Sequence, residues 1–448
     1  MRERTGGRPG VPAAASHGEP TGAVAVAQGV HWIGALDPDL RTFDVILRTA
    51  NGTTYNAYAV RGRDGVAVID TVKEDFTEAF LARLEQVARY DEITALVLTH
   101  LEPDHTGAVP ELLRRAPQAH IYVSHRGLMV LRGLLKDDLE HRAYTAVDTG
   151  DTVSLGDCTL AFLCTPYVHW PDTQCVHVPE RRLLFTCDLL GCHFCDGRLF
   201  NDRVGDFRFS FEYYFEHIMR PFKRHVAGAL DLIEPLEIDL IAPGHGPILR
   251  AHPRQYIAQY RRLVDPRLRA EVGRDEKTLL IFYVSAYGAT ARMAQAIHDG
   301  ASENPHVRVS LYDLQGGEVA PFVNLIEATD GLVFGTPTIN GDAVRTIWDL
   351  LSGLVDIETR GKLGAAFGSY GWTGEAVRMV EERLRGLRMQ VPEAGLRIKL
   401  HPTDAELEAC RDFGRRLSGH LTGHLSGHLS GSAAGPVAPK EIDMAALG

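Results

Sequence analysis

Cysteine is scarce in this chain: 7 residues among 448, too few and too scattered for a disulfide framework. Cys192 and Cys195 do form a C-x-x-C, in GCHFCDG. No second such pair exists to complete a four-cysteine metal centre, so the pair reads as two reduced thiols in a packed loop; only its closeness to Asp188 keeps a redox or metal role open. Positive charge is also in deficit. With 47 Lys and Arg against 58 Asp and Glu, the net charge of −11 argues against nucleic acid or an anionic membrane as a partner. Long apolar runs are missing too: none approaches the ~20 residues that span a bilayer. The opening MRERTGGRPGVPAAASHGEP lacks the apolar centre of a secretory signal, so a cytoplasmic location is expected.

What remains is an ordinary globular composition, 45% hydrophobic and 23% charged. At roughly 100–200 residues per domain, the length implies two or three domains. Residues 1–27 are rich in Gly, Pro and Ala without periodicity and read as a disordered arm. A first domain is expected over 28–265. It opens with strand-like runs (TFDVILRT, TTYNAYAVRG, GVAVIDTV) and a helical FTEAFLARLEQVAR. Strands and helices then alternate through ITALVLTH, GAVPELLRRA, HIYVSH, CTLAFLCTP and RRLLFTCDLL, a helical tract over roughly 212–233, and IDLIAPGHG. After the polar connector RLVDPRLRAEVGRDEK, a second domain over 276–418 begins with an apolar strand, a Ser/Gly/Thr loop and a helix, the start of a doubly wound α/β unit with a last helix around 404–418. Residues 419–448 continue the four-residue repeat LSGHLTGHLSGHLSG. Its glycines each cost a helix about 1 kcal/mol, so a solvated tail is expected rather than a metal-binding helix face.

The stretch THLEPDHTG places His100, Glu102, Asp104 and His105 directly after an apolar strand. Four such groups cannot be buried unpaired, and at the carboxyl end of a strand they face the crevice where α/β folds bind ligands. Period-two alternation sends His100, Glu102 and Asp104 one way and turns His105 back, so one loop can serve two adjacent ions. Further ligand types recur at strand ends: His169 in TPYVHWPD, Asp188 in LLFTCDLLG and His245 in APGHGP. A single histidine after a strand is more often a satisfied polar residue than a ligand; the joint pattern points to metal.

These residues resemble the metallo-β-lactamase superfamily, whose signature H-x-H-x-D-H is followed by separated His, Asp and His. This chain departs from it at Glu102, and the order H-x-E-x-D-H, then His, Asp and His, resembles the diiron domain of flavodiiron proteins. The resemblance implies a metallo-β-lactamase-like αβ/βα sandwich. It puts His100, Glu102 and His169 on one iron and Asp104, His105 and His245 on the other, with Asp188 bridging; no catalytic residue beyond these ligands is implied. Carboxylate in place of imidazole makes the site harder, which suits iron better than zinc. Asp44, in RTFDVILRT, stands where many relatives have a histidine near the site.

In the second domain, Ser285 to Thr290 (S-A-Y-G-A-T) can cradle a phosphate with backbone N–H groups and the Ser285 and Thr290 hydroxyls, or can be a plain turn and helix cap. Two later loops, GTPTINGD and GSYGWTGE, also follow apolar strands and have small residues that let a flat ring approach. The three loops resemble flavodoxin. That implies FMN, with Ser285, Tyr287, Gly288, Ala289 and Thr290 around the phosphate, and Pro337, Thr338, Ile339 and Asn340 with Ser369, Tyr370, Gly371, Trp372 and Gly374 flanking the isoalloxazine.

Together the resemblances imply a flavodiiron oxidoreductase that reduces dioxygen to water, nitric oxide to nitrous oxide, or both, at two non-haem irons fed by FMN. They also imply an external electron donor, such as rubredoxin or a reduced-flavin or deazaflavin donor, and a head-to-tail homodimer or tetramer. Two alternatives stand beside this. One is a dizinc hydrolase carrying a flavodoxin passenger; the other is an electron-transfer or sensor protein whose metal lobe is vestigial. Tyr213, Tyr214 and Trp170 are the residues that could set the preference between the gases.

Overall fold

The computed structural model describes residues 20–43, 47–265, 277–315 and 322–423. Within it the chain divides into two compact units. Two facing sheets make up the first. One has seven strands in the order Val24–Ala27, Val30–Trp32, Tyr58–Arg61, Val66–Ile69, Ile93–Val97, His120–Ser124 and Tyr144–Val147. The other has five, Thr152–Ser154, Thr159–Cys164, Gln174–Val178, Leu183–Cys187 and Leu240–Pro243. Alternate residues of each strand point to opposite faces. Trp32, Val60, Ile69 and Val97 from one sheet thus meet Leu160, Phe162, Val176 and Phe185 from the other in a buried core. The outer faces are covered by helices: Thr77–Leu84, Val109–Arg115 and Gly127–Leu135 on the first sheet, Lys223–Ile233 and Pro253–Leu263 on the second. This is the expected αβ/βα sandwich.

The second unit is a five-stranded parallel sheet in the order Val307–Asp313, Lys277–Tyr283, Gly331–Gly335, Leu363–Tyr370 and Leu396–Lys399. Its inner strands are apolar on both faces because helices cover both, as parallel sheets require. The doubly wound, flavodoxin-like order is the expected one.

Several sequence expectations need correction. Residues Val24–Ala27, assigned to a disordered arm, pair antiparallel with Val30–Trp32. TFDVILRT is not one strand but a hairpin of Thr42–Phe43 and Leu47–Arg48; Asp44 lies outside the described residues. The helical tract begins at Arg208, and a wide π-type turn at Phe215–Met219 and the Pro221 turn interrupt it before Lys223. The last helix runs past 418 to Thr422, with Ser418 and Gly419 buried, so the first repeats of the tail are helical. The later repeats lie outside the described residues. Among the described residues, no helix is long and apolar enough to cross a membrane.

Candidate metal and flavin sites

All seven sequence-predicted metal ligands meet at one edge of the sandwich. The loop after Ile93–Val97 supplies His100 and Glu102, and the short helix Pro103–Thr106 supplies Asp104 and His105. Pro103 at the first helical position ends the strand alternation. Asp104 therefore does not point with His100 and Glu102, as period two suggested, but joins His105. The opposite sheet supplies His169, Asp188 and His245 from the ends of three strands.

The donor atoms fall into two sets, His100, Glu102, His169 and Asp188 in one and Asp104, His105 and His245 in the other. Asp188 stands between them. Its Oδ2 is 3.2 Å from His169 Nε2 and 3.8 Å from His100 Nε2, while its Oδ1 is 3.2 Å from His105 Nε2 and 3.5 Å from His245 Nε2. Glu102 Oε2 lies 3.0 Å from His100 Nε2 and 3.2 Å from His169 Nε2, and Asp104 Oδ2 lies 3.1 Å from His245 Nε2.

Burial by itself would strip the imidazoles of charge. The carboxylates outweigh it, Asp172 and Glu102 raising His100 to about 9, and Asp188 and Glu102 raising His169 to about 10. The reverse holds for Glu102, Asp104 and Asp188, where burial pushes up but the surrounding imidazoles hold the carboxyls below their usual range. Even so, both Asp104 oxygens, His105 Nε2 and Asp188 Oδ1 are buried without a hydrogen bond. Polar atoms crowded at ion-pair distance yet unbonded are what a cation would satisfy, and the mix of imidazole and carboxylate fits iron.

Sequence reasoning missed the residues that aim these ligands. Asp172 Oδ2 accepts hydrogen bonds from His100 Nδ1 at 3.0 Å and from the Leu101 amide at 2.7 Å. His245 Nδ1 donates to the Thr54 carbonyl at 2.6 Å. Each bond fixes the ring so that Nε2 faces the site. Asp70, with φ +54°, takes hydrogen bonds from the Thr99 amide and hydroxyl just before the ligand loop. Gly244 is needed for space, since a Cβ there would sit 2.7 Å from His105 Cε1. His193 is also buried beside the site, its ring centroid 5.2 Å from that of His245 and 5.0 Å from that of Tyr214; burial and the nearby His245 lower its pKa to about 3. The only signal for these residues was their presence inside the quoted motifs. Cys192 and Cys195 are buried, and neither joins a ligand set. Trp170 meets His100 edge-on at 5.1 Å, whereas Tyr213 lies tilted against His217 at 3.9 Å.

In the second unit, a cleft of about 400 Å³ opens at the carboxyl ends of the strands, a volume suited to a cofactor ring. Of the predicted flavin residues, Tyr287, Ala289, Pro337, Thr338, Ile339, Asn340, Ser369, Tyr370, Gly371 and Trp372 line it. Ala286, Leu400 and His401 also line it and were not foreseen. Ser285, Gly288, Thr290 and Gly374 do not. The Ser285 hydroxyl accepts from the Gly288 and Ala291 amides, and that of Thr290 pairs with Ser369, so both shape the loop. Gly288, with φ +84°, turns the chain into the helix Ala289–Ser302, whose amino end faces the loop. None of the lining residues is Lys, Arg, Asp or Glu. Tyr287 and Trp372 are 90% and 77% exposed, open aromatic faces on which a ring can stack.

The family described as ODP family beta lactamase matches residues 53–246, and Flavodoxin matches 281–414. The type A flavoprotein fprA of Rhodobacter capsulatus is 68% identical, covering 97% of both chains. The flavo-diiron protein FprA2 of Clostridium acetobutylicum and the nitric oxide reductase of Moorella thermoacetica are each 34% identical, covering 88% of this chain and 98% of theirs. Among solved structures, rubredoxin oxygen:oxidoreductase from Desulfovibrio gigas aligns with a TM-score of 0.62 at 25% identity, covering 90% of this chain and all of the other. With its two folds, paired donor sets and flavin-sized cleft, the chain belongs to the type A flavoproteins, the flavodiiron family.

Proposed function

We propose that this chain is an oxygen and/or nitric oxide reductase that works through two irons and FMN. The observation that carries the reading is the Asp188 carboxylate, one oxygen facing His100 and His169 and the other His105 and His245. A single carboxylate shared between two nitrogen sets suits two adjacent ions of like kind. His100, Glu102 and His169 would hold one, Asp104, His105 and His245 the other, with Asp188 common to both. Irons bound there would supply a binding place for the gas and electrons for its reduction, and FMN would hold electrons in pairs and release them singly.

The chain's own residues do the rest. Asp172 and the Thr54 carbonyl hold the imidazoles in register, and the buried sandwich edge keeps bulk water from the donors. In the flavin cleft, the amino end of Ala289–Ser302 would receive the phosphate with Tyr287 beside it, and Trp372 would flank the ring. The names of the relatives support both gases and a rubredoxin-type donor. The reading includes a cytoplasmic setting, an external donor of rubredoxin, reduced-flavin or deazaflavin type, and a head-to-tail homodimer or tetramer.

The test is metal and flavin analysis of anaerobically purified full-length protein, followed by stopped-flow of the reduced protein against each gas separately. Two irons and one FMN per chain with rapid reoxidation by either gas is the expected outcome. Zinc without flavin would favour the dizinc hydrolase, and a loaded protein inert to both gases would favour a pure electron carrier.

A further inference from the structure

His193 belongs to neither donor set, yet it is buried within ring contact of His245 and Tyr214. The Thr53 hydroxyl, 2.9 Å away, engages its Nδ1. Nε2 is buried and has no hydrogen-bond partner among the described residues. When the Thr53 hydroxyl donates to Nδ1, Nε2 carries the proton and is a donor with nothing to receive it, the role that a ligand able only to accept requires. A buried imidazole placed only to fill space would not be expected to leave a polar atom unsatisfied, because apolar side chains fill space without that cost.

The ring also lines a cavity of about 10 Å³, shared with Thr49, Ser210, Tyr213 and Tyr214, which is room for one molecule the size of water. Phe43 packs tilted against the ring, with centroids 4.3 Å apart. A polar atom without a partner, a cavity of one-molecule size and a neighbouring metal-type imidazole are thus gathered around one ring.

We propose that His193 is a substrate-binding residue, its Nε2–H donating a hydrogen bond to a diatomic gas as it enters beside the Asp104, His105 and His245 donors. The inference rests on the reductase reading and deepens it. It assigns substrate affinity to a side chain outside the ligand set.

The test compares wild-type full-length protein with His193→Phe, which removes the hydrogen bond, and His193→Gln, which can restore it. Metal content, azide affinity and the azide stretching frequency, and dioxygen KM and kcat are read for each. The loss of one hydrogen bond predicts about tenfold weaker azide binding, a shifted azide band and about tenfold higher dioxygen KM in His193→Phe. Iron content should stay at the wild-type level, and His193→Gln should return affinity to within about threefold of wild type. Identical azide affinity and band in all three proteins would overturn the proposal, as would a fall in kcat alone or a loss of iron in both variants. If the Phe variant does not fold, the His193 nitrogen-15 resonances of zinc-substituted wild-type protein decide: a shift of the Nε2 signal on adding azide supports the proposal, and an unmoved signal sinks it. A wild-type protein without iron and flavin would instead sink the reductase reading, and the zinc-form resonances would still test His193.

Discussion

Asp172 joins two parts of the ligand loop, taking hydrogen bonds from His100 Nδ1 and from the Leu101 amide. Removing such a partner frees the imidazole to rotate, at a typical cost of 10–100-fold in metal affinity. Asp172→Ala is therefore expected to lower iron affinity by about that factor with the fold intact, checked by competition with a chelator and by circular dichroism. Gly244→Ala acts sterically at the same place, since its Cβ would press on His105. It should destabilise the first unit by about 1–3 kcal/mol in urea titrations and reduce the iron retained. At this scale the seven ligands were legible because each follows an apolar run and would otherwise be an expensive burial. Asp172, Gly244 and His193 were not, because what matters about them is who stands opposite, and distance along the chain does not encode that. Asp104 shows the limit from the other side: strand alternation sent it to the wrong set because the helix starting at Pro103 changes the period.

Among the elements, the helices Ala289–Ser302 and Asp404–Thr422 show why propensity alone misjudges the end of the chain. Gly300 faces the Arg411 carbonyl, and Gly414 faces that of Ile297, so close that no Cβ fits at either position. Both glycines lie before the tail repeat, and both permit a tight helix crossing. Thr403 caps the second helix, its hydroxyl accepting from the Glu406 amide at 3.3 Å while Glu406 accepts from the Thr403 amide at 2.8 Å. Two effects compete in Gly414→Ala: a gain of about 1 kcal/mol in helix propensity and an overpacking cost of about 1–3 kcal/mol. Backbone cannot yield as a side chain tip can, so net destabilisation of the flavodoxin-like unit is expected, measured by urea denaturation followed through flavin fluorescence. The strands of both units were legible as apolar runs between turn residues. The boundaries that failed, at Val24, at Thr42 to Arg48 and at Thr422, are those where pairing or packing with distant residues decides.

For the whole molecule, the flavin cleft and the donor sets belong to separate compact units, each with its own core. Their cofactors should be separable by mutation. Trp372→Ala removes an exposed aromatic face worth about 0.5–1.5 kcal/mol in a stacked pair. It is expected to raise the FMN dissociation constant up to about tenfold while iron per chain is unchanged, checked by fluorescence titration and elemental analysis. The order of the two folds was readable in the sequence from the polar connector and from the change from scattered ligand motifs to strand-loop-helix repeats.

The ligands come from opposite halves of the sandwich, His100, Glu102, Asp104 and His105 following a strand of one sheet and His169, Asp188 and His245 following strands of the other. A bound pair of ions would thus clasp two layers already joined at that edge by a few hydrogen bonds, those of His100 and Leu101 to Asp172 and of His245 to Thr54 among them. Chelation should then do more than silence the enzyme: the first unit should melt at lower temperature and its edge amides should exchange faster, while the flavin unit keeps its own melting point.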